Sequence, residues 1–313
     1  MGDTWLRGAR IVAWAALAGV TGVFVHAEAF RPDLPDGVVL YKDIIYRRDV
    51  GRRAKLDVYV PSAGSTTRRP AIVAIHGGGW HGGTKNGYGR EIARLAPRGF
   101  VVVSVDYVLS RPGHPSWPEN LEDVREAVRW IRRNAEQFGV DPDRIAAIGS
   151  SAGGHLATML GTNAGGVDLE SRVAAVVDLY GPTDLTSLGA SPGAVEPLRL
   201  HLGATAIERP DLYIAASPIA HASPGDAPTL LIHGEADVLV PFSQSTLLAE
   251  RLRASGVEAE VVVVPGVGHA FRLDMPEHDL IPRIVDFLER AWSHQTGNSL
   301  YRSATSSTQP GSP

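Results

Sequence analysis

Two serines stand between glycines in Gly149-Ser150-Ser151-Ala152-Gly153, a G-x-S-x-G spacing with Ser151 at its centre. A serine hydroxyl is a poor nucleophile until a base removes its proton and a third group orients that base. Small neighbours fit such a role, because a serine on a sharp strand-to-helix turn needs close approach of the backbone on either side. The context agrees: Ile145-Ala146-Ala147-Ile148 reads as a strand and Gly154–Leu160 as a small-residue helix. Ser150 is then the variable position, its hydroxyl left for a local hydrogen bond. A purely structural turn is the plain alternative.

The partners are expected in the order serine, acid, histidine, each on a loop directly after a strand. Thr229–His233 reads as a strand followed by Gly234-Glu235-Ala236-Asp237, and Glu258–Val264 as a strand followed by Pro265-Gly266-Val267-Gly268-His269. Asp237 and His269 thus occupy the acid and base positions, with Glu235 the rival acid. Asp178 falls inside a strand and Asp184 on the loop after it, out of order. His233 reads as a packed, hydrogen-bonded ring, His155 as a structural residue of the elbow helix, and His278 comes too late in the chain.

Acyl transfer also needs donors for the developing oxyanion. The run His76-Gly77-Gly78-Gly79-Trp80 follows a buried strand and would offer the amides of Gly78 and Gly79 beside that of Ala152. Phosphate binding is the other use of such a loop, but the run lacks both the Gly-Lys-Ser/Thr ending and the G-x-G-x-x-G spacing. His76 is expected to brace the loop. Trp80, Tyr107, Trp117 and the segment 181–228 are candidates to line the substrate pocket, with core packing as the aromatics' alternative role.

These residues must be carried on a framework, and the pattern supplies one. Val38–Tyr46 and Lys55–Val60 read as an antiparallel hairpin, while Ala71–Ile75 and Phe100–Val105 are near-continuous apolar runs typical of strands buried on both faces. Apolar residues from Leu121 to Phe138 recur at spacings of three and four, predicting one helix over Glu119–Phe138 with Gly139 as its C-terminal cap. Strands at Arg144–Ile148 and Val173–Leu179 and helices at Gln244–Ser255 and Leu280–Trp292 continue the alternation. The fold class is therefore α/β, a mostly parallel sheet with an antiparallel N-terminal edge and helices on both faces. The Pro-, Gly- and Ser-rich stretch 181–228 interrupts it, and a connection this long in a compact domain usually serves as a small cap or lid.

Composition sets the outer limits. The 313 residues allow one large domain, and a net charge of −4 without a clustered basic surface argues against nucleic acid. With no cysteine, thiol catalysis, disulfides and cysteine-ligated zinc are excluded. Arg7 and Arg10, the apolar run Ile11–Val25 and Ala27-Glu28-Ala29 read as a secretory signal peptide over residues 1–29, too short for a span of about 20 residues. Export to the periplasm or beyond follows, with an uncleaved membrane anchor as the alternative. The catalytic domain would cover residues 30–296, and the Ser-, Thr- and Gly-rich stretch 297–313 reads as a disordered tail. No pattern specifies an oligomeric state.

Taken together, HGGGW at 76–80, VDYVLS at 105–110, GSSAGGHLA at 149–157, YGPTDL at 180–185, SPI at 217–219, HGEADVLVP at 233–241 and GVGHAF at 266–271 resemble the α/β-hydrolase-fold serine esterases. The likeness is to the hormone-sensitive-lipase-like and the acetyl-xylan and feruloyl esterase-like (BD-FAE-like) branch, from about Val38 to Trp292. It implies Ser151 as nucleophile, His269 as base, Asp237 as its orienter, the glycine-rich loop as part of an oxyanion hole, and no metal or organic cofactor. Many relatives carry Asp where this chain has Ser150, and the short N-terminal part leaves no room for a helical cap. That favours short-acyl esters, including acetylated carbohydrates, over long-chain lipids. An amide hydrolase of the same fold and a non-catalytic binding protein on this scaffold are the competing readings.

Overall fold

The computed structural model describes residues 27–28, 34–49, 52–162, 168–189, 192–275 and 277–305. A two-residue strand, β1 (Ala27–Glu28), lies against a long antiparallel hairpin of β2 (Val38–Asp49) and β3 (Arg52–Pro61). The rest of the expected signal peptide falls outside the described residues. In β2 the alternating Val38, Leu40, Ile44 and Tyr46 are buried, as the two-residue period of a strand requires.

The parallel part begins with β4 (Arg69–Ile75), which leads through α1 (Lys85–Ile92) to β5 (Val101–Val105). Next come α2 (Glu119–Arg133) and α3 (Ala135–Phe138), then β6 (Val140–Ser150), α4 (Ala152–Gly161) and β7 (Ala175–Leu179). The last two strands, β8 (Thr229–Gly234) and β9 (Ala259–Val264), complete a sheet ordered β1-β2-β3-β5-β4-β6-β7-β8-β9. β3 pairs antiparallel with β5, and every neighbour from β5 onward is parallel. The apolar runs of β4 and β5 are buried because helices cover both faces. Tyr88 and Ile92 of α1 pack on one, and Leu121, Val124, Val128 and Ile131 of α2 on the other. Each such side chain removed from water contributes roughly 1.5–3 kcal/mol.

This order places the site. The chain moves from β4 to β5 in one direction across the sheet, then returns so that β6 lies on the other side of β4. The loops leaving β4 and β6 therefore emerge side by side at the carboxyl ends of adjacent strands, where the strand order reverses. The glycine-rich loop follows β4 and Ser151 follows β6.

Three expectations need correction or detail. The helix expected over Glu119–Phe138 is broken at Asn134, which leaves helical geometry at φ −105° and ψ 15° with both its N–H and its side-chain amide donating to the Trp130 carbonyl, at 3.0 and 2.8 Å. The chain restarts as α3 and ends on Gly139 in the left-handed conformation. The insertion 181–228 folds into α5 (Leu185–Leu188), α6 (Pro192–Leu202), α7 (Pro210–Ala215) and α8 (Pro218–His221). After it, α9 (Ser243–Ala254) covers Leu231 of the sheet.

A short hairpin, β10 (Asp274–Met275) with β11 (His278–Asp279), precedes α10, which runs Ile281–Thr305. The tail expected to be disordered from Gly297 is thus helical as far as Thr305. Packing of Ile284, Phe287, Leu288 and Trp292 nucleates the helix, and propagation then adds one hydrogen bond per residue with no Pro to stop it. Among the described residues no helix is long and apolar enough to cross a membrane.

Candidate active site

Ser151 holds φ 52° and ψ −119°, an uncommon backbone for a side-chain-bearing residue. The turn is pinned on both sides. Its N–H donates to the Leu179 carbonyl at 2.8 Å, and its carbonyl accepts from His155 N–H at 3.0 Å. The two glycines of the motif are dictated by contact: a Cβ on Gly149 would strike the Gly153 carbonyl, and one on Gly153 the Ile75 carbonyl of β4. The strained conformation is therefore held by neighbouring strands that no larger residue would let approach.

Asp237 and His269 arrive on the loops after β8 and β9. Ser151 Oγ lies 2.9 Å from His269 Nε2, and His269 Nδ1 lies 2.6 Å from Asp237 Oδ2. With Nδ1–H donating to the carboxylate, Nε2 is free to accept the serine hydroxyl. Asp237 Oδ1 accepts from the amides of Leu239 and Val240 at 3.0 and 2.9 Å, which fixes its rotamer. Burial alone would raise the Asp237 pKa, but the neighbouring His233 and His269 rings and the Val240 amide outweigh it and hold the carboxyl well below its usual range. Glu235, the rival acid, instead accepts the Gly266 amide at 3.1 Å. The two loops are stitched by Glu235 N–H to the Val264 carbonyl and Ala236 N–H to the Val267 carbonyl, at 3.0 and 2.9 Å. Tyr180 packs edge-on against His269, with ring centroids 4.9 Å apart.

The glycine-rich loop turns beside this array. Gly78 and Gly79 adopt φ 119° and 57°, and the Gly78 carbonyl closes the turn by accepting from His81 and Gly82 at 3.1 and 2.9 Å. A Cβ on Gly78 would strike Gly82, and one on Gly77 would lie 3.3 Å from Ser151 Cβ, so the loop adjoins the elbow directly. Among the described residues no acceptor takes the N–H of Gly78, Gly79 or Ala152. His76 braces the loop as expected. Its Nδ1–H donates to the Gly77 carbonyl at 2.8 Å, and its ring stacks on Tyr107 at 4.3 Å.

The three aromatics named as pocket candidates sit differently. Tyr107 is buried and donates its hydroxyl to the His76 carbonyl at 2.8 Å. Trp80 is buried too, donating Nε1–H to His155 Nδ1 at 3.2 Å and stacking on His201 of α6 at 4.4 Å. Trp117 is half-buried, edge-on to His201 at 5.9 Å. The packing role applies to Trp80 and Tyr107, whose polar ends are already engaged, while Trp117 bridges core and cap. His155 donates Nε2–H to the Ala216 carbonyl at 2.7 Å, so the elbow helix, the glycine-rich loop and the insertion share one hydrogen-bonded cluster. His201 was not singled out from the sequence, because nothing near it in the chain signals a partner on the loop after β4.

The BD-FAE family model matches residues 56–252, a stretch holding the glycine-rich loop, the elbow and Asp237. The chain is 32% identical to Esterase LipC of Mycobacterium tuberculosis over 255 residues, covering 76% of this chain and 62% of that longer protein. Among solved structures it resembles a truncated carbohydrate esterase from gut microbiota, with a TM-score of 0.72 and 27% identity over 84% of this chain and 99% of that one. It also resembles esterase 2 of Thermogutta terrifontis, with a TM-score of 0.64 and 30% identity over 83% of this chain and 91% of that one. Matched by the family model over more than half its length, the chain belongs to the BD-FAE family and carries the α/β-hydrolase fold.

Proposed function

We propose that the protein is a carboxylic ester hydrolase in which Ser151, His269 and Asp237 act as a catalytic triad. The observation that carries this reading is the unbroken hydrogen-bond chain from Ser151 Oγ through His269 to Asp237, at 2.9 and 2.6 Å. His269 Nε2 takes the Ser151 proton as Oγ attacks the ester carbonyl. Asp237 stabilises the imidazolium, and the amides of Gly78, Gly79 and Ala152 receive the oxyanion. Collapse of the tetrahedral intermediate expels the alcohol, protonated by His269, and leaves an acyl group on Ser151. Water then repeats the sequence and frees the acid.

We further propose short-acyl esters as substrates, with acetyl groups on carbohydrates the leading class. The resemblance to a carbohydrate esterase supports this, as does an insertion of four short helices in place of a large cap. The N-terminal run that reads as a signal peptide supports action outside the cytoplasm. Labelling by a fluorophosphonate probe tests the chemistry: the wild type is labelled and Ser151→Ala is not. A panel of p-nitrophenyl esters, acetylated xylan and N-formylkynurenine tests the class, since amide turnover without ester turnover would replace this reading with an amide hydrolase.

A further inference from the structure

Asp237 faces a second imidazole. His233, near the end of β8, places Nε2 3.3 Å from Asp237 Oδ2, the oxygen that also accepts from His269, and both side chains are fully buried. The ring is clamped at each nitrogen. Nε2–H donates to the Val240 carbonyl at 2.8 Å, and Nδ1 lies 2.7 Å from the Ser245 hydroxyl of α9. A carbonyl only accepts, so the proton sits on Nε2, facing Asp237, and Nδ1 takes the Ser245 proton. Asp237 Oδ1 is meanwhile filled by the Leu239 and Val240 amides.

Resting on the triad reading, we propose that His233 is a positioning residue: its Nε2–H, donated to the Val240 carbonyl, lies beside Asp237 with Nε2 3.3 Å from Oδ2, and this buried N–H dipole limits the negative charge that Asp237 presents to His269. A carboxylate with a further N–H dipole beside it is a weaker base. Without that dipole, Asp237 would favour the imidazolium more strongly, and His269 would stay protonated to higher pH. Protonated His269 cannot accept the Ser151 proton. His233 therefore extends the working range of the base toward lower pH.

Other ionisable groups face this assembly. Tyr180 packs against His269, and Glu91 of α1 acts on Tyr180. Asp178 of β7 lies within electrostatic reach of His233, and Glu235 is engaged on Gly266. Among the described residues none of these donates a hydrogen bond to Asp237. Its side-chain donor is His269, with His233 Nε2 in contact at 3.3 Å.

The test is kcat/KM for p-nitrophenyl acetate across pH in the wild type, His233→Leu and His233→Gln. Loss of the dipole in His233→Leu moves the acid limb up by about one pH unit, whereas the amide of His233→Gln keeps it within about 0.3 unit of the wild type. A lower kcat at every pH with an unmoved limb is what a structural role alone gives, and it overturns the proposal. If His233→Leu does not fold, Ser245→Ala loosens the same ring from its other nitrogen. It shifts the limb in the same direction by less, and an unshifted limb again overturns the proposal. A wild type whose turnover survives Ser151→Ala sinks the triad reading instead, and this inference with it.

Discussion

Two pairs of histidines lie close to the Ser151 turn, and they differ in what they touch. His233 and His269 converge on the carboxylate of Asp237. His155 and His201 flank the indole of Trp80, with a tryptophan N–H, a backbone carbonyl and the Ser116 hydroxyl as their partners. Burial pushes His155 down to about 4 and His201 well below its usual value, and among the described residues no ion pair with a carboxylate opposes it. An imidazole beside a buried carboxylate can take up a proton at modest cost. One buried among aromatics stays neutral and acts as a rigid hydrogen-bonding spacer. Residue type is the same in both places, and the partner decides the use.

The largest effect should come from removing the charge that makes the first pair different. Asp237→Asn leaves the shape but withdraws the carboxylate from His269, so kcat/KM for p-nitrophenyl acetate should fall on the order of 10⁴-fold. Steady-state kinetics check it. A loss below about tenfold would mean that His269 does not depend on this acid and would break the comparison.

The second pair should answer in stability. His155→Leu strips the acceptor from Trp80 Nε1–H and the donor from the Ala216 carbonyl, each buried, at about 1–3 kcal/mol apiece. Urea unfolding near neutral pH measures the sum. The sign with pH follows from linkage. His155 in the folded protein titrates near 4, below its ordinary 6.5, so the unfolded chain takes up the proton first. The stability it contributes is complete above the unfolded value and declines by roughly 3 kcal/mol as pH falls from 6.5 toward 4. Asp178 runs the other way. Burial lifts it to about 7 from 3.8, with His233 and the Gly181 amide opposing, so its contribution is full below 3.8 and is lost as pH rises toward 7. Comparing variant with wild type at each pH cancels the Asp178 slope. The penalty of His155→Leu should therefore shrink on acidification, and a penalty constant with pH would show that His155 does not titrate as its burial requires.

The same contrast explains what could be read in advance. Ser151, Asp237 and His269 were legible because chain order and the loop-after-strand rule constrain all three, and the structure brings them within hydrogen-bonding distance. Gly78 and Gly79 were legible because their backbone admits almost nothing else. The inward roles of Trp80 and Tyr107 were not, since an aromatic in a loop reads alike whether it meets substrate or His201 from a distant helix. The double duty of His233 was half legible. Its strand position announced a packed ring, but the 3.3 Å approach to Asp237 depends on how Val240 and Ser245 clamp it. The break at Asn134 and the run of α10 to Thr305 escaped periodicity, because one turns on the backbone of a single residue and the other on propagation from a packed start.

The smallest effect tests the acid assignment from the other side. Glu235 stands two residues before Asp237 on the same loop, so sequence distance alone hardly separates them. Contact does: Glu235 Oε2 accepts the Gly266 amide, whereas Asp237 Oδ2 accepts from His269. In Glu235→Gln the side-chain carbonyl can still take the Gly266 proton, so the β8 and β9 loops should remain joined. kcat/KM should then change by less than about twofold, against the 10⁴-fold expected for Asp237→Asn. The acid limb of the profile should also stay in place, because the Glu235 carboxylate is engaged on the Gly266 amide. A hundredfold loss in Glu235→Gln would transfer the orienting role to Glu235 and leave Asp237 as a buried anchor for the amides of Leu239 and Val240.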